Sequence, residues 1–192
     1  MTAKPINGGM LLLARKRRKK TQKEVAAGTG VAQAAISRIE NGTRDVLSQE
    51  EVRSIARFLG FPISFFYEQE PLYRTPLSLH GAAFRKKAAV SVKDQDSVVA
   101  LANQYVFQLR RMLDAVDVEA QYPLLQFEVV SDREGVSEHA NAVTSPTEAA
   151  RKVRRSWQLD DGPLLNLVRY VEATGVMVVE GDFEDADIDG VT

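Results

Sequence analysis

Between Gln33 and Arg38 the chain sets two strong hydrogen-bonding side chains just over one helical turn apart, with Ala34, Ala35 and Ser37 nearby. A carboxamide offers a donor and an acceptor together, the pair that adenine presents, and a guanidinium fork suits guanine or a phosphate. The alanines are small enough for a backbone to approach a groove floor, where their methyl groups meet thymine methyls. Readout of nucleic acid is the chemistry these residues suit.

Other chemistries lack their parts. Without cysteine there is no disulfide framework, no thiolate metal site and no cysteine nucleophile. The two histidines, His80 and His139, stand far apart, whereas a helical zinc site needs two imidazoles four residues apart. Beyond Lys87 the lysines are Lys93 and Lys152, both expected on exposed helix faces, which argues against a serine activated by a desolvated lysine. Asp185, Asp187, Asp189 and Gly190 copy the opening of a calcium loop, but its closing glutamate would fall beyond Thr192. No catalytic residue, metal ligand or cofactor is expected, and the chain does not read as an enzyme.

The elements that must carry Gln33 and Arg38 are two short helices joined by a tight turn. Thr21 lies three residues before Glu24, the spacing of a capping box, so a helix begins at Gln22. Val25 and Ala26 form its buried side, and Gly28, Thr29 and Gly30 end it. A second helix, Gln33 to Glu40, turns Ile36 and Ile39 inward over Val31 and leaves Gln33, Ala34, Ser37 and Arg38 outside.

The stretch TQKEVAAGTGVAQAAISRIENG, Thr21 to Gly42, resembles the DNA-binding core of the phage-repressor-like (XRE/Cro/CI) helix-turn-helix family. The likeness covers roughly the first third of the chain. It implies that Gln22, with Lys23, meets phosphate and that Gln33, Ala34, Ala35, Ser37 and Arg38 serve the major groove. Asn41, Thr43 and Arg44 would clamp the DNA backbone beyond it. Ala32 departs from the pattern, standing where the family has a Ser or Thr cap, a loss that costs about 1 kcal/mol.

A net charge of −1 hides an asymmetry: up to Lys87 there are 16 basic against 7 acidic residues, and beyond it 9 against 19. Two functional halves are expected, the basic one drawn to phosphate. The run Arg15 to Lys20 exceeds what the end of a first helix needs, so some of its cations are expected on phosphate; a solvated helix end is the alternative. No apolar run approaches a membrane span and the first nine residues lack a signal-peptide core, so a cytoplasmic protein is expected.

Further along, Ser48 and Glu51 box another helix, with Val52, Ile55, Ala56 and Leu59 buried and Gly60 at its end. Pro62 opens a short helix whose Phe65 and Phe66 are expected to fill the core, with a dimer contact as the alternative. The expected domains are 1–67, five helices of lambda-repressor-like type, a linker over 68–89, and a mostly helical regulatory or assembly domain over 90–192. In the last, a long helix from Ser91 carries an apolar stripe through Val98, Leu101, Tyr105, Leu109, Met112 and Val116, a core face or a subunit seam. Phe127 to Val130 reads as a strand. Ser145, Pro146 and Glu148 start a helix with Ala149, Ala150, Val153 and Trp157 inward and a basic face, Arg151, Lys152, Arg154 and Arg155, outside, a salt-bridged surface with a second DNA contact as the alternative. A helix from Leu164 to Ala173, a buried strand from Val176 to Val179 and an acidic tail complete the expected order.

Phe84 to Lys86, the Arg154-Trp157-Leu159 helix end, Gly162-Pro163 and Glu172 to Val179 together resemble the front part of an ImmA/IrrE-type zinc peptidase domain, without its His-Glu-x-x-His helix. The reading that follows is a mainly α, sequence-specific transcriptional repressor of double-stranded DNA, of the kind that keeps prophage immunity. Homodimerisation and a protein partner held by residues 90–192 stay open. Two alternatives are the front piece of an ImmA/IrrE metallopeptidase regulator and an antitoxin-like module.

Overall fold

Three of the first-half helices start where a side chain satisfies a free backbone N–H, and glycines end two of them. A computed structural model describes residues 5–43, 46–68, 84–86, 90–117, 119–129, 142–181, 183 and 188–192. The protein is mainly helical, with seven α-helices and a few short strands among these residues. No helix there is long and apolar enough to cross a membrane.

Helix α1 (Gly8–Arg17) begins at Asn7, whose Oδ1 accepts from the Gly9 N–H at 2.9 Å. Both expected capping boxes form: Thr21 with Glu24 opens α2 (Gln22–Thr29), and Ser48 with Glu51 opens α4 (Gln49–Leu59). Gly30 and Gly60 end those helices at φ of 74° and 68°, a region costly to any residue with a Cβ. Between them lies α3 (Gln33–Glu40), and a 3₁₀ helix (Ile63–Tyr67) follows α4. Leu11, Val25, Ile36, Ile39, Ile55 and Phe66 meet in one core, which encloses Val31 and Leu47 as well. Phe66 is fully buried, as expected.

Two compact units divide the chain: residues 1–112 with 181–192, and residues 113–180. In the first, helix α5 (Val92–Leu113) follows the cap Ser91, whose Oγ accepts from the Asp94 N–H at 3.1 Å. Strand β1 (Phe84–Lys86), inside the stretch expected as linker, pairs antiparallel with β4 (Ile188–Val191), in the stretch expected as an acidic tail. Phe84 faces Val191 in register, and the ladder bulges between Arg85 and Lys86. Val90, Val98 and Ile188 form a small second core there. Of the expected α5 stripe, Val98 and Leu101 are buried while Met112 is exposed and Val116 lies past the helix end.

The second unit pairs β2 (Glu128–Val129) with β3 (Ala142–Val143) in parallel, where Phe127 to Val130 read as a strand. Helix α6 (Pro146–Ser156) is capped by Ser145, and Glu148 reaches back to the Thr144 N–H, one residue earlier than a standard box. Trp157 is buried, but Ala150 is exposed rather than inward. Helix α7 spans Leu167–Glu172, starting later than Leu164 because Asn166 is its cap. The expected buried strand at Val176 to Val179 does not form: no ladder partner among the described residues reaches it, and Met177, Val178 and Val179 are 47, 41 and 42% exposed.

Candidate nucleic-acid interface

The presenting surface is built from a buried ion pair outward. Arg15 of α1 donates from Nε and Nη2 to the two carboxylate oxygens of Glu40, both at 2.6 Å, and from Nη1 to the Lys20 carbonyl at 2.9 Å. Both side chains are nearly buried, so the pair is a fixed strut between α1 and the end of α3. Glu40 also accepts from Gln22 Nε2 at 2.9 Å, and Gln22 Oε1 in turn accepts from Gln33 Nε2 at 3.1 Å. The chain Arg15–Glu40–Gln22–Gln33 thus runs from the core to the exposed first residue of α3. It orients the Gln33 amide while leaving its carbonyl oxygen and one N–H without a partner among the described residues, available to a base edge.

Gln33, Ala34 and Arg38 are exposed and Ser37 is half-buried, on one side of α3. Arg38 makes no side-chain hydrogen bond or ion pair among the described residues, so its guanidinium is available to guanine or phosphate. Ala35 corrects the reading of the sequence. At 8% exposure it packs in the core beside Ile36, because it lies four residues before Ile39 and so shares the inward face. Ala32 makes no capping bond, as its side chain requires.

Gln22 and Lys23 stand in the first turn of α2, whose backbone N–H groups and dipole favour an anion. Asn41 and Thr43 follow α3 and are exposed; Asn41 Nδ2 contacts Ser37 Oγ at 3.4 Å, and Thr43 Oγ1 donates to the Arg38 carbonyl at 3.1 Å. Arg44 lies outside the described residues, as do His80, His139, Asp185 and Asp187.

The basic run before α2 is more structural than its composition implied. Arg15 is committed to Glu40, and Arg18 donates to the Leu59 carbonyl at 2.7 Å while lying over the Phe61 ring. Lys19 pairs with Asp94 at 2.7 Å, Lys16 with Asp96, and Ser97 Oγ donates to the Arg17 carbonyl at 2.9 Å, so the first turns of α5 sit on the end of α1. The Lys19 ammonium, with the Ser91 hydroxyl, holds the Asp94 carboxyl below its ordinary range. Glu24 is lowered too, chiefly by the Thr21 N–H of its capping box. Sequence reading missed α5 as a partner of this run.

An exposed, amide-led helix braced from below and a phosphate-ready helix start beside it have a counterpart among known proteins. Residues 11–66 match the family model described as Helix-turn-helix, HTH_3. They form an XRE-family helix-turn-helix domain. The domain makes the chain a DNA-binding regulator, with double-stranded DNA as its partner. No curated protein and no solved structure matched the chain. Nothing in the comparisons supports the ImmA/IrrE likeness of the second half. On α6 itself, Lys152 donates to the Ala142 carbonyl at 2.6 Å and Arg154 to the Gly162 carbonyl at 2.9 Å, so part of its basic face braces its own unit.

Proposed function

We propose that the protein is a sequence-specific transcriptional repressor that reads an operator through the major groove with α3, in the role of a prophage immunity repressor. Gln33 and Arg38 are its base-reading residues, with Ala34 and Ser37 beside them; Gln22, Lys23, Asn41, Thr43 and Arg44 hold the DNA backbone. The observation that carries this reading is the hydrogen-bonded chain that ends on Gln33, since a pre-oriented amide discriminates bases at little entropic cost. Repression is the family's common mode and rests on the domain likeness. A homodimer on half-sites one helical turn apart, acting in the cytoplasm, goes with it.

The test is binding to DNA upstream of the protein's own gene against a scrambled duplex, over a salt series, for wild type and for Gln33→Ala with Arg38→Ala. A preference of roughly a thousandfold or more that the double substitution erases supports the reading. A steep salt slope without sequence preference reduces the function to phosphate binding.

A further inference from the structure

In the second unit, a cleft of about 580 Å³ opens between the 121–122 segment, the 158–166 loop and α7. Its size falls within the roughly 300–1,000 Å³ range of small-molecule sites. The frame is hydrogen-bonded on each side. The N–H groups of Gln121 and Tyr122 both donate to the Ala173 carbonyl, at 2.7 and 3.1 Å. Trp157 Nε1 donates to the Pro123 carbonyl at 3.0 Å, and the Arg154 guanidinium bonds the carbonyls of Asp160 and Gly162. Gln158 turns the chain into the loop at a φ of 55°, a conformation that a non-glycine residue adopts at some cost.

The lining has a definite chemistry. Tyr122 and Tyr170 present two aromatic rings with centroids 6.3 Å apart, and Leu159 and Pro163 add apolar surface. Arg169 and Asp160 supply one charge of each sign. They do not pair with each other, and neither side chain makes an ion pair or hydrogen bond among the described residues. Two unpaired opposite charges beside aromatic walls match a molecule that carries both charges and a ring. The guanidinium fork suits a carboxylate in two parallel hydrogen bonds, the carboxylate suits an ammonium, and an aromatic ring stacks on tyrosine.

We propose that this cleft binds a small aromatic zwitterion of amino-acid to dipeptide size, its carboxylate on Arg169, its ammonium on Asp160 and its ring against Tyr122 and Tyr170. Trp157, the one tryptophan of the chain, stacks on Tyr122 with centroids 6.1 Å apart at 29°, so its emission reports on the cleft. The experiment titrates the full-length protein with L-phenylalanine and with phenylalanyl-phenylalanine, by Trp157 fluorescence and by calorimetry in parallel. N-acetyl-phenylalaninamide, which has the ring and neither charge, is the control. At least one of the two zwitterions is expected to saturate, with the control about tenfold weaker or more.

Arg169→Gln and Asp160→Asn are each expected to weaken binding by about tenfold or more, corresponding to about 1.4 kcal/mol. Both side chains are exposed, so the variants keep the fold, which circular dichroism checks. No saturable signal by either method, a control that binds as well as the zwitterions, or variants that bind like wild type would each overturn the proposal. Because the readout is ligand binding without DNA, its failure is distinct from failure of the repressor reading.

Discussion

Cations brace both units of this molecule, but among the described residues only the helix-turn-helix domain buries one, and the difference separates what holds the fold from what is presented to a partner. In the helix-turn-helix domain Arg15 is buried against Glu40 and Arg18 closes the end of α4, so two of the most basic-looking positions are internal braces. Arg38, two residues before Glu40, is left exposed. In the 113–180 unit neither α6 nor α7 buries a residue fully, and Arg151, Arg155 and Arg169 stand at the surface. A cation's job is set by the carboxylate or carbonyl within its reach rather than by the run it belongs to.

The sharpest way to break that comparison is to remove a brace. Glu40→Ala strands the Arg15 guanidinium in the core and cuts the path to Gln22 and Gln33. Losing one partner of a buried pair typically costs about 3–5 kcal/mol. Chemical denaturation is expected to show a loss of that order, against a change within about 0.5 kcal/mol for exposed Arg155→Ala in the other unit. Equal effects for the two variants would show that the Arg15–Glu40 pair is no brace.

Next in size is Gly8→Ala. A Cβ there would lie 2.0 Å from the Ile39 carbonyl oxygen, and main chain has no rotamer through which to yield. The α1–α3 contact must open, at about 1–3 kcal/mol or more. Gly28→Ala is the companion: its Cβ would meet the Phe58 ring at 2.1 Å, but that ring is 37% exposed and can swing away, so its loss is expected to be the smaller. Thermal unfolding of the pair checks the order.

Single substitution at the reading surface comes third and leaves stability almost untouched. Gln33→Ala removes an exposed side chain that braces nothing beyond Gln22. It is expected to lower the preference for the operator by roughly 5- to 150-fold, from about 1–3 kcal/mol per base-reading pair, with the unfolding midpoint unchanged. A fall in affinity that is the same for operator and scrambled DNA would mean that Gln33 meets phosphate only.

Much of this domain was legible because its signals are local. The two capping boxes span four residues each, and Gly30 and Gly60 mark helix ends by backbone preference alone. The inward side of Ala35 was available as well, from its four-residue step to Ile39. What sequence did not reveal is pairing at a distance. Arg15 and Glu40 are 25 residues apart and Lys16 and Asp96 are 80 apart, and nothing in either neighbourhood names its partner. The β1–β4 ladder joins a three-residue to a four-residue segment, too short for alternation to register. The 158–166 loop was readable only as Gly162-Pro163 punctuation, since its cleft depends on the Ala173 and Pro123 carbonyls that close the frame.

The smallest expected effect tests whether Lys16 and Lys19 belong with the braces or with the presented cations. Asp94 and Asp96 hold them now, and these lysines lie just before the phosphate-ready start of α2. Asp94→Asn with Asp96→Asn frees both ammonium groups. If phosphate is then within their reach, the slope of log binding constant against log salt steepens by up to about 2. An unchanged slope places them with Arg15 and Arg18. Acid releases Lys19 from Asp94 without mutation. The folded-state value of Asp94 is depressed, so its contribution is present above the ordinary carboxylate range and is lost as pH falls through the lower folded value. Protection of α5 amides from hydrogen exchange is therefore expected to drop below that range in wild type, and to be insensitive to the same acid step in Asp94→Asn.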